Sequence, residues 1–202
     1  MRNLILLGAL FAISASAQSI FSVGVIGGAP FTDVVNASTP GTFTFVPKSM
    51  NYTVGPSVQI NLPLNFRVEF DALYRPYSFT ATETIIPPLT TSVAPANVTG
   101  NQWRFPILAQ YRFRFPVVSP FVEAGVSVNH LSNIAMTGTV FTSGPGTFVR
   151  QTDAGVVLGG GVDVKIPFVR LSGELRYTHQ GAADFQSVSN LNQAEVLVGI
   201  HF

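Results

Sequence analysis

The sequence predicts an all-β fold, an eight-stranded antiparallel up-and-down transmembrane β-barrel, and three observations carry that expectation. The chain is too apolar for an ordinary soluble protein, with 47% hydrophobic and 10% charged residues against about 25% charged in soluble domains. No run of about 18 apolar residues follows position 17, so membrane-spanning helices are not expected. Segments of roughly ten residues alternate apolar with polar or small side chains, the period of a strand with two unlike faces. A closed sheet reconciles all three, because it satisfies every backbone polar group in lipid while hiding from hydropathy windows.

The first element is a leader. Met1-Arg2-Asn3, an apolar run over residues 4–13 and Ala15-Ser16-Ala17 form a secretory signal peptide over residues 1–17, with cleavage expected before Gln18. Residues 18–202 then form one barrel domain. Phe21, Val23 and Val25 open the first strand. Over residues 52–62, Tyr52, Val54, Pro56, Val58, Ile60 and Leu62 alternate with Thr53, Gly55, Ser57, Gln59 and Asn61 without an error, long enough to cross a bilayer at a tilt. The pattern recurs in Phe66–Arg75, Trp103–Phe113, Val122–Asn129, Val156–Ile166, Val169–Tyr177 and Gln193–Phe202, which completes eight.

The charges sharpen the pattern. Eight bases (Arg67, Arg75, Arg104, Arg112, Arg114, Lys165, Arg170, Arg176) and six acids (Glu69, Asp71, Glu123, Asp163, Glu174, Glu195) share the parity opposite the apolar stripe. Such a set suits an ion-pair network inside a narrow barrel. Once the leader and its Arg2 are removed the chain is neutral, which gives no reason to expect a nucleic-acid partner. It has no cysteine, hence no disulfide or thiolate site. No cofactor is expected, and His179 and His201 stand a strand-length apart without a visible third ligand.

Short connections with Pro63, Pro116 and Pro167 alternate with long ones near residues 29–51, 76–101, 131–152 and 179–191, read as polar loops. Outer-membrane barrels have short periplasmic turns and long external loops, which places both termini in the periplasm. Outward Tyr52, Tyr74, Trp103 and Tyr177 then mark an external girdle, and Phe21, Phe66, Phe113 and Phe202 a periplasmic one. These girdles and the charged face favour the membrane over a soluble eight-stranded carrier, whose interior would be apolar.

With its alternation, Val68-Glu69-Phe70-Asp71-Ala72-Leu73-Tyr74-Arg75, Gly173-Glu174-Leu175-Arg176-Tyr177 and a terminal Phe202, the chain resembles the outer-membrane β-barrel domain family, similar to the transmembrane part of outer-membrane protein A. The resemblance implies an integral outer-membrane protein of Gram-negative cells whose Phe202 is read by the barrel assembly machinery. It suggests a monomeric, non-catalytic anchor with a plugged, charge-filled lumen and surface loops that meet lipopolysaccharide or other envelope partners.

One stretch invites an enzymatic alternative. His130-Leu131-Ser132-Asn133 is similar to the His-x-Ser-Asn motif of the outer-membrane lipid A deacylases, whose resemblance would imply His130 and Ser132 in a hydrolytic triad. Residues 133–152 hold no acid, and Asp153 falls on the inward parity, so a strand-to-loop exit is the preferred reading.

Overall fold

A computed structural model describes residues 20–39, 43–48, 52–84, 93–138, 151–185 and 188–202. The leader, residues 1–17, lies outside the described residues. The strands are β1 (Phe21–Pro30), β2 (Phe43–Pro47), β3 (Thr53–Asn61), β4 (Phe66–Asp71), β5 (Leu73–Thr84), β6 (Val93–Arg112), β7 (Val118–Gly138), β8 (Thr152–Ile166), β9 (Val169–Gln180) and β10 (Asn192–His201). All pairings are antiparallel, and β1 meets both β3 (Val23↔Val58) and β10 (Val25↔Ile200), which closes the ring. A closed ring has no unpaired edge to expose to lipid.

Ten strands make eight staves. β4 and β5 keep one register against β6, from Phe66↔Tyr111 to Leu73↔Arg104, and form a single stave interrupted at Ala72. β2 lies outside the ring and pairs with the upper part of β5 (Phe45↔Ala81), where β3 no longer reaches.

The polar parity points inward. Arg67 and Arg176 are 0% and 1% exposed, whereas Val122 on the other face is 53% exposed. The outward band of Val, Ile and Leu is bounded by rings of aromatics. Tyr74 meets Trp103 edge-on at 5.2 Å on one side, and Phe66 meets Tyr111 at 5.2 Å on the other. Phe66 and Tyr74 are eight residues apart on one stave, about 27 Å along a strand and about 20 Å across a bilayer at a tilt near 40°, close to the apolar band of such barrels.

The glycine run of β8 has a steric cause. Gly159 and Gly161 face Glu123 and Phe121 across the β7–β8 pair, and a Cβ at Gly159 would lie 2.5 Å from Glu123 Oε1. Larger residues there would displace side chains that fill the lumen.

The long connections are not simply polar loops. β5, β6 and β7 run on beyond the aromatic ring into the segments read as loops, with β6 spanning 20 residues and β7 21 where about 9–11 suffice to cross. Their inner faces turn apolar: Tyr77, Phe79, Ala81, Val98 and Leu131 join Val34, Val35, Phe45, Phe185 and Val188 in a buried cluster. Phe185 packs edge-on against Phe79 at 5.3 Å and Tyr77 at 6.2 Å. The outer faces turn polar, with Thr80 Oγ1 donating to Asn97 Oδ1 at 2.9 Å. A bulge opposite Gly100, with Asn133 at φ 52°, shifts the parity of β7 so that Ile134 reaches the same cluster as Leu131. The parts of these connections at residues 40–42, 49–51, 85–92 and 139–150 lie outside the described residues.

Candidate functional site in the barrel lumen

The inward side chains stack in layers. At the centre, Arg176 on β9 is ringed by four carboxylates, with Nη2 3.0 Å from Glu69 Oε1, Nη1 2.9 Å from Asp71 Oδ2, Nε 3.2 Å from Glu123 Oε1 and Nη2 3.2 Å from Glu174 Oε2. Gln110 Nε2 donates to Glu69 Oε2 at 3.0 Å and Glu123 Oε2 at 2.7 Å, holding two of the acids in place. Glu69, Glu123 and Glu174 bring carboxylate oxygens within 4.8 Å of one another, a grouping that could hold a metal and that linear spacing does not reveal. Arg176 supplies the positive charge that such a trio would otherwise draw from a cation.

Toward the chain termini, Arg67 Nη1 pairs with Asp163 Oδ2 at 2.9 Å, its guanidinium 5.3 Å from the Phe121 ring centre, and its Nε donates to Gln110. Above the centre, Ile26, Leu73 and Leu197 form a small buried apolar layer. Beyond it Arg104 pairs with Glu195, which also accepts from Thr53 Oγ1 at 3.2 Å, and Arg75 donates to Gln193 Oε1 at 3.5 Å and to the Thr32 carbonyl. The apolar cluster of the extended strands follows.

Three bases differ in degree from this buried set. Arg170 donates to Gln59 and stands 3.9 Å from Asp163 at the outer limit of an ion pair. Arg112 meets the amide oxygen of Asn61 at 3.0 Å rather than a carboxylate. Lys165 is exposed and has no side-chain partner among the described residues. Arg75, held by the Gln193 amide oxygen and the Thr32 carbonyl, Arg112 and Lys165 therefore stand outside the ion-pair network expected of them; for Arg112 and Lys165 the wall at the strand ends no longer brings an acid opposite.

Asp153 is not brought to the face of the wall that carries His130. His130 Nδ1 lies 2.9 Å from Thr152 Oγ1, its direct neighbour across the β7–β8 pair. Asp153 pairs with Asn129 and is buried on the lumen side, the opposite face of the wall. Asn133 is the bulge residue, which gives the last member of the motif a backbone role. His201 lies inward, 3.3 Å from Ser57 Oγ, while His179 meets Asn192 Oδ1 at 2.8 Å, so the two histidines have separate partners.

Comparison with one solved structure agrees with this architecture. Neisserial surface protein A has a similar fold, with a TM-score of 0.53 at 17% identity, covering 92% of this chain and 98% of that one. The N-terminal β-barrel domain of Pseudomonas aeruginosa OprF gives a TM-score of 0.44 at 14% identity over 90% of this chain and 96% of that one. No curated protein matches the sequence. The family model for the outer membrane protein beta-barrel domain matches residues 4–202, and the chain belongs to that family of outer-membrane barrels.

Proposed function

We propose that the protein is a non-catalytic integral anchor of the outer membrane whose closed barrel holds a folded external cap. The observation that supports it is the unbroken sequence of buried layers, from the Arg67–Asp163 pair through the Arg176 centre and the Ile26–Leu73–Leu197 layer to the Phe79–Phe185 cluster. An eight-stranded barrel is just wide enough for side chains to fill. The cap, β2 with the upper parts of β5, β6 and β7, presents the surface that meets lipopolysaccharide or an envelope partner, and the chain works as a monomer. Residues 1–17 direct export and are removed, Phe202 is read by the barrel assembly machinery, and both termini face the periplasm, in keeping with the short turns at their end of the barrel. Planar-bilayer recording of the refolded protein tests the closed lumen. Little conductance is expected, and steady ohmic steps would overturn it.

A further inference from the structure

The mouth that carries the termini holds a cavity of about 1020 Å³. Four bases reach it, Arg112, Arg114, Lys165 and Arg170, against one acidic side chain, Asp163. Asp163 is already taken up by Arg67 at 2.9 Å. The rest of the lumen explains part of this imbalance. Seven acids are buried there (Glu69, Asp71, Glu123, Asp153, Asp163, Glu174 and Glu195) with four bases (Arg67, Arg75, Arg104 and Arg176). Arg112 and Arg170, turned inward onto Asn61 and Gln59, offset two of the three remaining acids.

Arg114 and Lys165 stand apart from that buried set. Both are exposed, line the cavity and have no side-chain hydrogen bond or ion pair among the described residues. Arg112 Nε adds a buried donor without a partner beside them. Gathering unpaired like charges around one space opposes folding, since each pair repels. An anion in the cavity reverses that term.

We propose that this vestibule binds a phosphate ester, with Arg114 and Lys165 supplying the charge and Arg112 the fixed donors. The two unpaired charges match a phosphate monoester, which carries about −1.5 to −2 at neutral pH. The planar fork of a guanidinium suits phosphate oxygens. The cavity far exceeds one phosphate group, and Ile20, Leu62, Ile166 and Phe168 give it an apolar lip, Phe168 being 97% exposed. A phosphate carried on a larger, partly apolar body fits that lining. Such a group is found on lipid headgroups and on soluble esters alike, and the site would serve either, whichever way the barrel is inserted.

The test uses the mature chain refolded in neutral maltoside micelles, titrated calorimetrically at fixed ionic strength with pyrophosphate and, separately, with dihexanoyl phosphatidic acid. Saturable one-to-one binding of at least one probe is expected; pyrophosphate alone would assign a soluble ligand and phosphatidic acid alone a lipid. The double variant Arg114→Gln, Lys165→Gln should unfold at or above the wild-type midpoint without ligand, because two repelling charges are gone, and bind at least about tenfold more weakly. Lys48→Gln, an exposed base at the opposite end, should bind as wild type. Absence of saturable binding for both probes, undiminished binding by the double variant, or an equal loss in Lys48→Gln would overturn the site.

Discussion

The same strands build two opposite kinds of interior. Between the aromatic rings the wall of β5 and β6 faces inward with Arg75 and Arg104 and outward with Tyr74 and Trp103. A few residues higher, Tyr77, Phe79, Ala81 and Val98 point inward while Thr80 and Asn97 point out. The polarity inverts between Arg75 and Tyr77 with no break in the backbone ladder. What changes is the surroundings. In lipid the outer face gains from being apolar and the interior must satisfy its own charges, whereas above the bilayer the cap buries apolar area like a soluble domain. Each half should therefore fail in its own way.

The largest effect is expected at the centre of the lower half. Arg176→Met leaves four buried carboxylates facing one another. Breaking a buried ion pair from one side costs about 3–5 kcal/mol, and here one residue serves four partners. Urea unfolding in detergent should show a loss at least that large, with Glu69→Ala following in the same direction. Unchanged midpoints would mean that the network contributes nothing.

Phe185→Ala probes the upper half. Phe185 is fully buried between Tyr77 and Phe79, and removing such a ring costs about 3 kcal/mol or more. The loss should appear as faster amide exchange in residues 76–82 and 95–99 with the lower barrel still protected, because the two cores share strands but not side chains. Uniform loss of protection along β5 would show that the cap and the barrel are one cooperative unit.

The smallest effect is expected at the outer rim of β7. His130→Ala and Ser132→Ala should change stability by less than about 0.5 kcal/mol and leave lipid A acylation in expressing cells as it was. Loss of an acyl chain with the wild type, abolished by either substitution, would establish a deacylase and displace the anchor reading.

Much of the barrel was legible because strand parity is a strict rule: fourteen charges on one parity can share only one face. Depth was not legible. Lys165 has the parity of Arg67, yet one lies at an open mouth and the other is fully buried, since alternation fixes the face and says nothing of distance from the strand end. The carboxylate grouping around Arg176 was hidden for a related reason: its members come from β4, β7 and β9, and only closure of the ring brings them together. The cap escaped because Thr-rich outer faces make its strands read as polar connections. A continued count from Arg75 through Tyr77, Phe79 and Ala81 carries the signal of the extended strand. Beyond Leu131 even that count fails on β7, where the bulge at Asn133 resets it.

The inverted polarity can be measured directly through the chain's single tryptophan. Trp103 lies on the outward face at the upper aromatic ring, one stave from Tyr74 and stacked on Phe105. In vesicles whose acyl chains carry bromine near the headgroup, its fluorescence should be strongly quenched, and less so when bromine sits near the chain ends. Aqueous iodide should quench it weakly. Strong iodide quenching with no response to brominated lipid would put Trp103 in water and contradict the assignment of the apolar face to the membrane.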